Sequence, residues 1–513
     1  MNKSRTSLAL KNTLVTTVVT FFNFPIQFIN RYFMVRYLGI TYLGLTSLFS
    51  NILSVLSLAD LGIGSAIIFL LYKPLATRDF EKVSVIMKYY RRIYQYICGI
   101  IFLLGILIIP FLHVFVGEKI TYPHVYLLFL IYLLGAASSY LFSYNQSLLY
   151  ADQKSYVISW LNLLVTYVML ALQIITVITL KNPLIYATLF VFSGFITNLL
   201  VTIYVNRKYK FNKHIKKKLS SSEKKSLVHN VIGNMFMRVS GVVVTATDNI
   251  FLSAFVGVDI VGIYANYVTI INVIQKIITQ VINSVAGSIG NFIVQKEKSE
   301  SKRLFFNLQF INFLMVSMAF LGILFLSDDV ITWWLGSKYI IDKWDVFLIA
   351  LSFYVMNYRI VGWNFISVYG LAKYMKLFST TEMLANVVFT LIFLTVFKLK
   401  LAGVILGTVC STILTVAWQD PYVIFHHAFD SSVKEYTLKY IYNIIILVAD
   451  TFVTKGMISV IDNISLNLII SIALKAILII IISIVIPYIL YIKSYEVKYL
   501  NNLVFRIIRG TRQ

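Results

Sequence analysis

Residues 12–34 read NTLVTTVVTFFNFPIQFINRYFM, and residues 230–255 read NVIGNMFMRVSGVVVTATDNIFLSAF. Both are long and apolar enough to cross a bilayer, yet each carries a polar stripe. In the first, Thr16, Thr20, Asn23, Gln27 and Asn30 follow at spacings of 4, 3, 4 and 3, which is one face of a helix. In the second, Asn234, Arg238, Gly241, Thr245 and Asp248 repeat those spacings 218 residues later, position for position. The same shift sets Asn30-Arg31-Tyr32-Phe33 on Asp248-Asn249-Ile250-Phe251, Gly39 on Gly257 and Gly44 on Gly262. A polar stripe inside hydrocarbon must face protein or water. Its recurrence predicts two repeated halves whose first helices line an interior.

Composition agrees with a membrane chain. Of 513 residues, 59% are hydrophobic and only 13% charged, with a mean hydropathy of +0.82; soluble domains carry about 25% charged residues. Fourteen helices of roughly 20 residues would consume about 280 residues and leave short connections, with no room for a soluble domain. Cys98 and Cys410 fall in separate apolar runs and suggest neither a disulfide nor a metal site.

Apolar runs of spanning length lie near 12–34, 42–69, 93–114, 124–147, 158–180, 184–205, 230–255, 262–290, 304–326, 346–369, 377–397, 401–419, 437–460 and 466–491. The first follows Lys3, Arg5 and Lys11 but is too long for a signal peptide and lacks a cleavage pattern, so it reads as a retained helix. With the N-terminus inside, the inner segments hold 32 Lys and Arg and the outer segments 8. That asymmetry places both termini in the cytoplasm and accounts for the net charge of +24 without nucleic acid. The expected fold is therefore all-α and integral to the membrane: about 14 transmembrane helices, in two six-helix lobes related by the repeat, plus two extra C-terminal helices. The expected divisions are 1–205 for the first lobe, 206–229 for a basic cytoplasmic linker, 230–419 for the second lobe, 420–491 for helices 13 and 14, and 492–513 for a tail. In that tail Val497, Leu500, Val504 and Ile507 oppose Lys498, Arg506 and Arg509, as in a helix lying on the inner leaflet.

Ionisable residues within spans sharpen the functional reading. Arg31, Arg238, Lys276, Arg359 and Lys475 are basic; Asp60, Asp248, Glu382 and Asp450 are acidic. Each costs about 2.5–3.5 kcal/mol at the bilayer centre, so most must face a hydrated interior or pair with one another. Lys475 and Asp450 are the weakest functional candidates, because they lie on the two added helices. Arg31, Arg238, Lys276 and Arg359, set among Asn234, Asn266, Thr269, Gln280 and Asn283, suit a phosphate-bearing, sugar-bearing substrate with a lipid tail. Asp60, Asp248 and Glu382 are candidates for ion coupling or ion pairing.

Further runs carry a family resemblance. Ser57-Leu58-Ala59-Asp60-Leu61-Gly62-Ile63-Gly64 and then Leu71-Tyr72-Lys73-Pro74-Leu75-Ala76 resemble the second helix and first inner loop of bacterial polysaccharide flippases. Ser288-Ile289-Gly290-Asn291, Trp334-Leu335-Gly336-Ser337-Lys338-Tyr339, Gly403-Val404 with Leu406-Gly407-Thr408, and Trp418-Gln419-Asp420-Pro421 are similar to later signatures. These are the Wzx-type exporters of lipid-linked oligosaccharides, in the multidrug/oligosaccharidyl-lipid/polysaccharide superfamily. The resemblance spans residues 8 to 440 and rests on the order of its motifs. It implies two lobes around a central cavity and the turning of undecaprenyl-pyrophosphate-linked repeat units to the outer leaflet by alternating access, for capsule or exopolysaccharide synthesis. By the same resemblance the in-span cations meet the pyrophosphate, and Pro25 is a gating point.

Three rivals share parts of this reading. A cation-coupled multidrug exporter would carry more cavity acids, and a peptidoglycan-precursor flippase is closer still. A membrane glycosyltransferase or polymerase would need a larger outer platform than 327–345, so no enzyme activity is expected. No P-loop is present, and transport would draw on substrate, proton or sodium gradients without a cofactor. The expected partners are the lipid-linked glycan, membrane lipids, and a polymerase and glycosyltransferases, with no nucleic acid; a monomer in the bacterial cytoplasmic membrane is expected.

Overall fold

The computed structural model describes residues 5–60, 63–117, 122–209, 239–244, 246–295 and 297–509, with 217, 219 and 220 as isolated positions; side chains at 5–11, 13–14, 59–60, 65–66, 284–295 and 506–509 are outside the description. The described residues are helical, with no β-strand among them. Eleven helices among them are long and apolar enough to cross a membrane, by length and composition. The chain is a multi-pass membrane protein that divides into two compact units, Met1–Ala265 and Asn266–Gln513.

The first unit contains α1 (Arg5–Leu38), α2 (Ile40–Leu56), α3 (Ile63–Ala76), α4 (Phe80–Ile108), α5 (Leu112–Val116), α6 (Val125–Ala151), α7 (Ser155–Thr179) and α8 (Pro183–Lys208). To these it adds α9 (Val239–Phe255) and the start of α10 (Val258–Gln295). The second expected span is not one helix. It ends at Leu56, passes through a 3-10 turn at Ser57–Asp60 and resumes at Ile63. The basic segment 70–92 is largely helix, because Asp79 caps α4 by accepting the Lys82 amide at 2.9 Å. In-span polar side chains join helices here. Asn145 of α6 donates to Thr202 of α8 at 2.8 Å, and Asn198 of α8 donates to the Ser139 carbonyl at 2.9 Å.

The repeat is visible in the backbone. Gly39 and Gly257 both have positive φ, 89° and 130°, and each immediately precedes a helix start, Ile40 and Val258, again 218 residues apart. A Cβ at Gly44 would run into the carbonyl of Val258, and one at Gly262 into the carbonyl of Ile40. Gly44 corresponds to Gly262 and Ile40 to Val258, so the contact is reciprocal between equivalent positions. Thr41 donates to Asp259 Oδ1 across it at 2.6 Å, and these two residues are equivalents as well. This crossing holds the first turns of α10 in the first unit. The boundary between the compact units falls within α10.

The second unit takes in the rest of α10 with α11 (Lys298–Trp334), α12 (Lys343–Asn357), α13 (Ile360–Val368), α14 (Ala372–Thr395), α15 (Lys400–Leu414), α16 (Val416–His427), α17 (Lys434–Asp462), α18 (Leu468–Leu490) and α19 (Tyr495–Arg509). Two expected spans are broken. The tenth parts at Tyr358 and Arg359, where the freed carbonyls of Asn357 and Tyr358 each accept from Asn312 of α11 at 3.1 Å, and Tyr358 also from Gln309 at 3.0 Å. Buried amides of a neighbouring helix thus replace the lost intrahelical bonds. The twelfth parts at Thr415 and continues past the expected limit at 419 to His427. The expected hairpin 327–345 is shorter, since α11 runs to Trp334 and α12 starts at Lys343. The tail helix does form, as α19. It docks on α17 through Lys439, which binds Glu496 at 2.5 Å and Tyr495 Oη at 2.7 Å.

Candidate functional site

In the first unit Arg31 lies on α1, half-buried, and its Nη1 is buried with no hydrogen-bond partner. Its electrostatic neighbours are Tyr186 of α8 and Tyr132 of α6. Tyr186 donates to Asn30 Oδ1 and packs edge-on against Tyr42, ring centroids 6.0 Å apart; the hydroxyl of Tyr132 is buried beside Thr46. No carboxylate pairs with Arg31 among the described residues. The site is a lone guanidinium in a wall of phenols. The half-buried polar stripe of Thr16, Thr20, Asn23, Gln27 and Asn30 runs along the same helix. Pro25 sits inside α1; without an amide hydrogen it leaves the Phe21 carbonyl unpaired and makes that level the place where α1 bends most readily. Asp248 of α9 lies beside Tyr264 of α10. Arg238, Asn234 and the side chain of Asp60 lie outside the described residues.

In the second unit α10 presents an exposed polar face. Asn272, Lys276, Gln280 and Asn283 stand at spacings of 4, 4 and 3, all exposed. Ammonium and amide groups on a membrane-spanning helix require protein or water opposite them. Asn364 of α13 donates to Asn283 Oδ1 at 3.2 Å. Lys276 has no ion-pair partner among the described residues. Asn266, further back on α10, is fully buried with both amide atoms unpartnered.

Arg359 is placed otherwise. Its Nε binds Asp420 Oδ2 of α16 at 2.7 Å and its Nη1 binds Glu382 Oε1 of α14 at 3.1 Å, with the side chain 6% exposed. Trp363 Nε1 donates to the same Asp420 oxygen at 3.1 Å, and its ring lies 5.1 Å from the guanidinium carbon. Thr412 donates to Glu382 at 3.3 Å. The break between α12 and α13 puts Arg359 at this crossing of three helices, where two acids already meet its charge. The sequence reading named Arg359 and Glu382 but not Asp420, Trp363 or the phenols around Arg31. Asp420 was inside a quoted motif, one residue past the expected span.

The profile of a family described as polysaccharide biosynthesis protein matches residues 9–286, more than half of the chain. The chain belongs to that family. Among solved structures the family member is similar to the lipid II flippase MurJ in an inward closed conformation, with 15% identity, 94% of this chain and 99% of that one covered, and a TM-score of 0.67. It is also similar to an inward-facing multidrug resistance MATE family transporter of the MOP superfamily, with 13% identity, 80% and 98% covered, and a TM-score of 0.63. A third is the Vibrio cholerae MATE transporter VcmN, with 14% identity, 82% and 96% covered, and a TM-score of 0.56. These likenesses show a fold shared with those structures. No curated protein sequence matches the chain.

Proposed function

We propose that this polysaccharide biosynthesis protein flips an undecaprenyl-pyrophosphate-linked repeat unit from the inner to the outer leaflet of the bacterial cytoplasmic membrane by alternating access, for capsule or exopolysaccharide assembly. The observation that carries the reading is Arg31, whose buried Nη1 has no hydrogen-bond partner and which pairs with no carboxylate among the described residues. Such a group favours an anionic guest, and a planar fork suits phosphate oxygens. The exposed face of α10 supplies Lys276 for charge and Asn272, Gln280 and Asn283 for sugar hydroxyls. Arg238, Asn234 and Asn266 extend the proposed contacts, Asp248 is a proposed coupling acid, and Pro25 a proposed bending point in gating. A strain lacking the protein should accumulate lipid-linked repeat units on the inner leaflet, and a plasmid copy should clear them. Normal surface glycan in that strain would refute the assignment.

A peptidoglycan-precursor flippase is the second reading. In its favour, coverage of this chain by the lipid II flippase exceeds that by the MATE transporter by 14% of the chain, 94% against 80%. That difference is about the size of the segment from α17 to α19. The two readings separate on the glycan that accumulates.

Both termini are proposed to be cytoplasmic. Cysteine placed at Ser221 should react with an impermeant thiol reagent only after permeabilisation, and cysteine placed at Ser337 in intact cells, in a background lacking Cys98 and Cys410. Ser337 is preferable to its neighbour Gly336, whose φ of 106° would strain any side chain. Labelling of the residue-221 cysteine from outside would invert the topology.

A further inference from the structure

Helices α11, α17 and α18 pack on one another in the second unit, and their ion pairs fix how they are aligned. At one end Lys302 of α11 binds Glu435 of α17 at 2.8 Å. At the other, Lys475 of α18 binds Asp329 of α11 at 2.7 Å and Asp462 of α17 at 2.6 Å. Glu435 and Lys302 differ by 133 in number, and so do Asp462 and Asp329. The two helices are therefore parallel and in one register along their length, and position 450 of α17 lies level with position 317 of α11. Helix α18 runs the other way. Its pairs Lys475 with Asp462 and Tyr491 with Asn443, the latter a hydrogen bond of 2.7 Å, bring Ser483 to the level between positions 450 and 454.

Oxygen atoms without donors gather at that level. Asp450 is 0% exposed and neither carboxylate oxygen has a hydrogen-bond partner. Thr454, one turn on along the same face, and Ser317 of α11 are also 0% exposed with unpartnered hydroxyls. Ser483 is fully buried, and its carbonyl lacks an intrahelical donor because Pro487, four residues on, has no amide hydrogen. Among the described residues of these three helices no basic side chain is at hand. Between Arg303 and Asp328, α11 has no ionisable residue; α18 offers only Lys475, committed to two acids about 18 Å along the helix, and Tyr488. On α17 the nearest ionisable residues are Tyr440, Tyr442 and an exposed Lys455.

A bare carboxylate in such a place would cost far more than any fold recovers from it, so it must be met by a positive charge. We propose that Asp450 forms a buried binding site for a monovalent cation, a proton or a sodium ion, with Thr454, Ser317 and the Ser483 carbonyl as the neutral oxygens around it. One carboxylate matches one positive charge, and hydroxyl and carbonyl oxygens are hard donors of the kind that bind hard cations. This site shares no residue with the Arg359 cluster, and it does not rest on the glycan assignment.

The test uses the full-length protein in lipid nanodiscs, without glycan, and two readouts: equilibrium binding of radioactive sodium, and the infrared band of a protonated carboxyl at neutral pH. The site predicts one of the two in the wild type and its loss in Asp450→Asn. Saturable sodium binding identifies sodium as the occupant; the carboxyl band identifies the proton. Absence of both from the wild type, or persistence in Asp450→Asn, overturns the proposal. Should Asp450→Asn fail to fold, Ser317→Ala decides: sodium affinity falls at least tenfold or the carboxyl band shifts, and a variant unchanged in both overturns it.

Discussion

Replacing Arg31 with alanine is expected to reduce glycan export at least a hundredfold while leaving the amount of protein in the membrane unchanged. Among the described residues the fold draws no ion pair from this guanidinium. Its Nη1 is unpartnered and no described carboxylate relies on it, so truncation leaves no orphaned acid and removes a desolvated charge. In the proposed function the substrate does depend on it. A pyrophosphate leaving water loses hydration that only positive charge or dense hydrogen bonding restores. Two charge-assisted bonds at about 1.5–3 kcal/mol each amount to two orders of magnitude or more. Arg31→Lys should recover part of the loss, since an ammonium keeps the charge and loses the fork. The check is surface glycan in a complementation strain, normalised to protein level; wild-type export by the alanine variant would remove Arg31 from the mechanism.

Replacing Arg359 with alanine should act on folding first. The change strands Asp420 and Glu382, 2% and 12% exposed, without a counter-charge. Breaking a buried pair from one side costs about 3–5 kcal/mol, a large part of a typical folding stability. Thermal unfolding in detergent should show a lowered midpoint and less monodisperse protein. Adding Asp420→Asn and Glu382→Gln to Arg359→Ala should return most of the stability, because the stranded charges are then gone. An unshifted midpoint together with lost export would make Arg359 a substrate ligand instead.

The difference between these two arginines marks the limit of what the sequence could say. Periodicity showed that both were in-span cations, but not which had partners. Arg359 meets Asp420 only because the twelfth span breaks at Thr415 and continues as helix to His427. Hydropathy ends that span at 419, and Pro421 reinforces the stop. Arg31 meets phenols from α6 and α8, a three-helix contact that no spacing within one helix encodes. Lys475 and Asp450 were set aside for lying on the added helices, and the register of α11, α17 and α18 gives both a place. The repeat was legible at its glycines, because a reciprocal glycine crossing demands the same small residue at equivalent positions, and Gly44 and Gly262 are those positions. Helix breaks were the least legible feature. Near Arg359 they depend on Asn312 and Gln309 of another helix, and near Ser57 no proline announces one.

Movement of a pyrophosphate-linked glycan across the bilayer is the proposed function. Its most direct test is reconstitution of the full-length protein into liposomes containing undecaprenyl-pyrophosphate oligosaccharide in the inner leaflet, with arrival outside read by a membrane-impermeant lectin. Lectin-accessible glycan well above protein-free vesicles is expected with the wild type, and background levels with Arg31→Ala at equal incorporation. Background levels with the wild type, or equal rates for the two proteins, would contradict it.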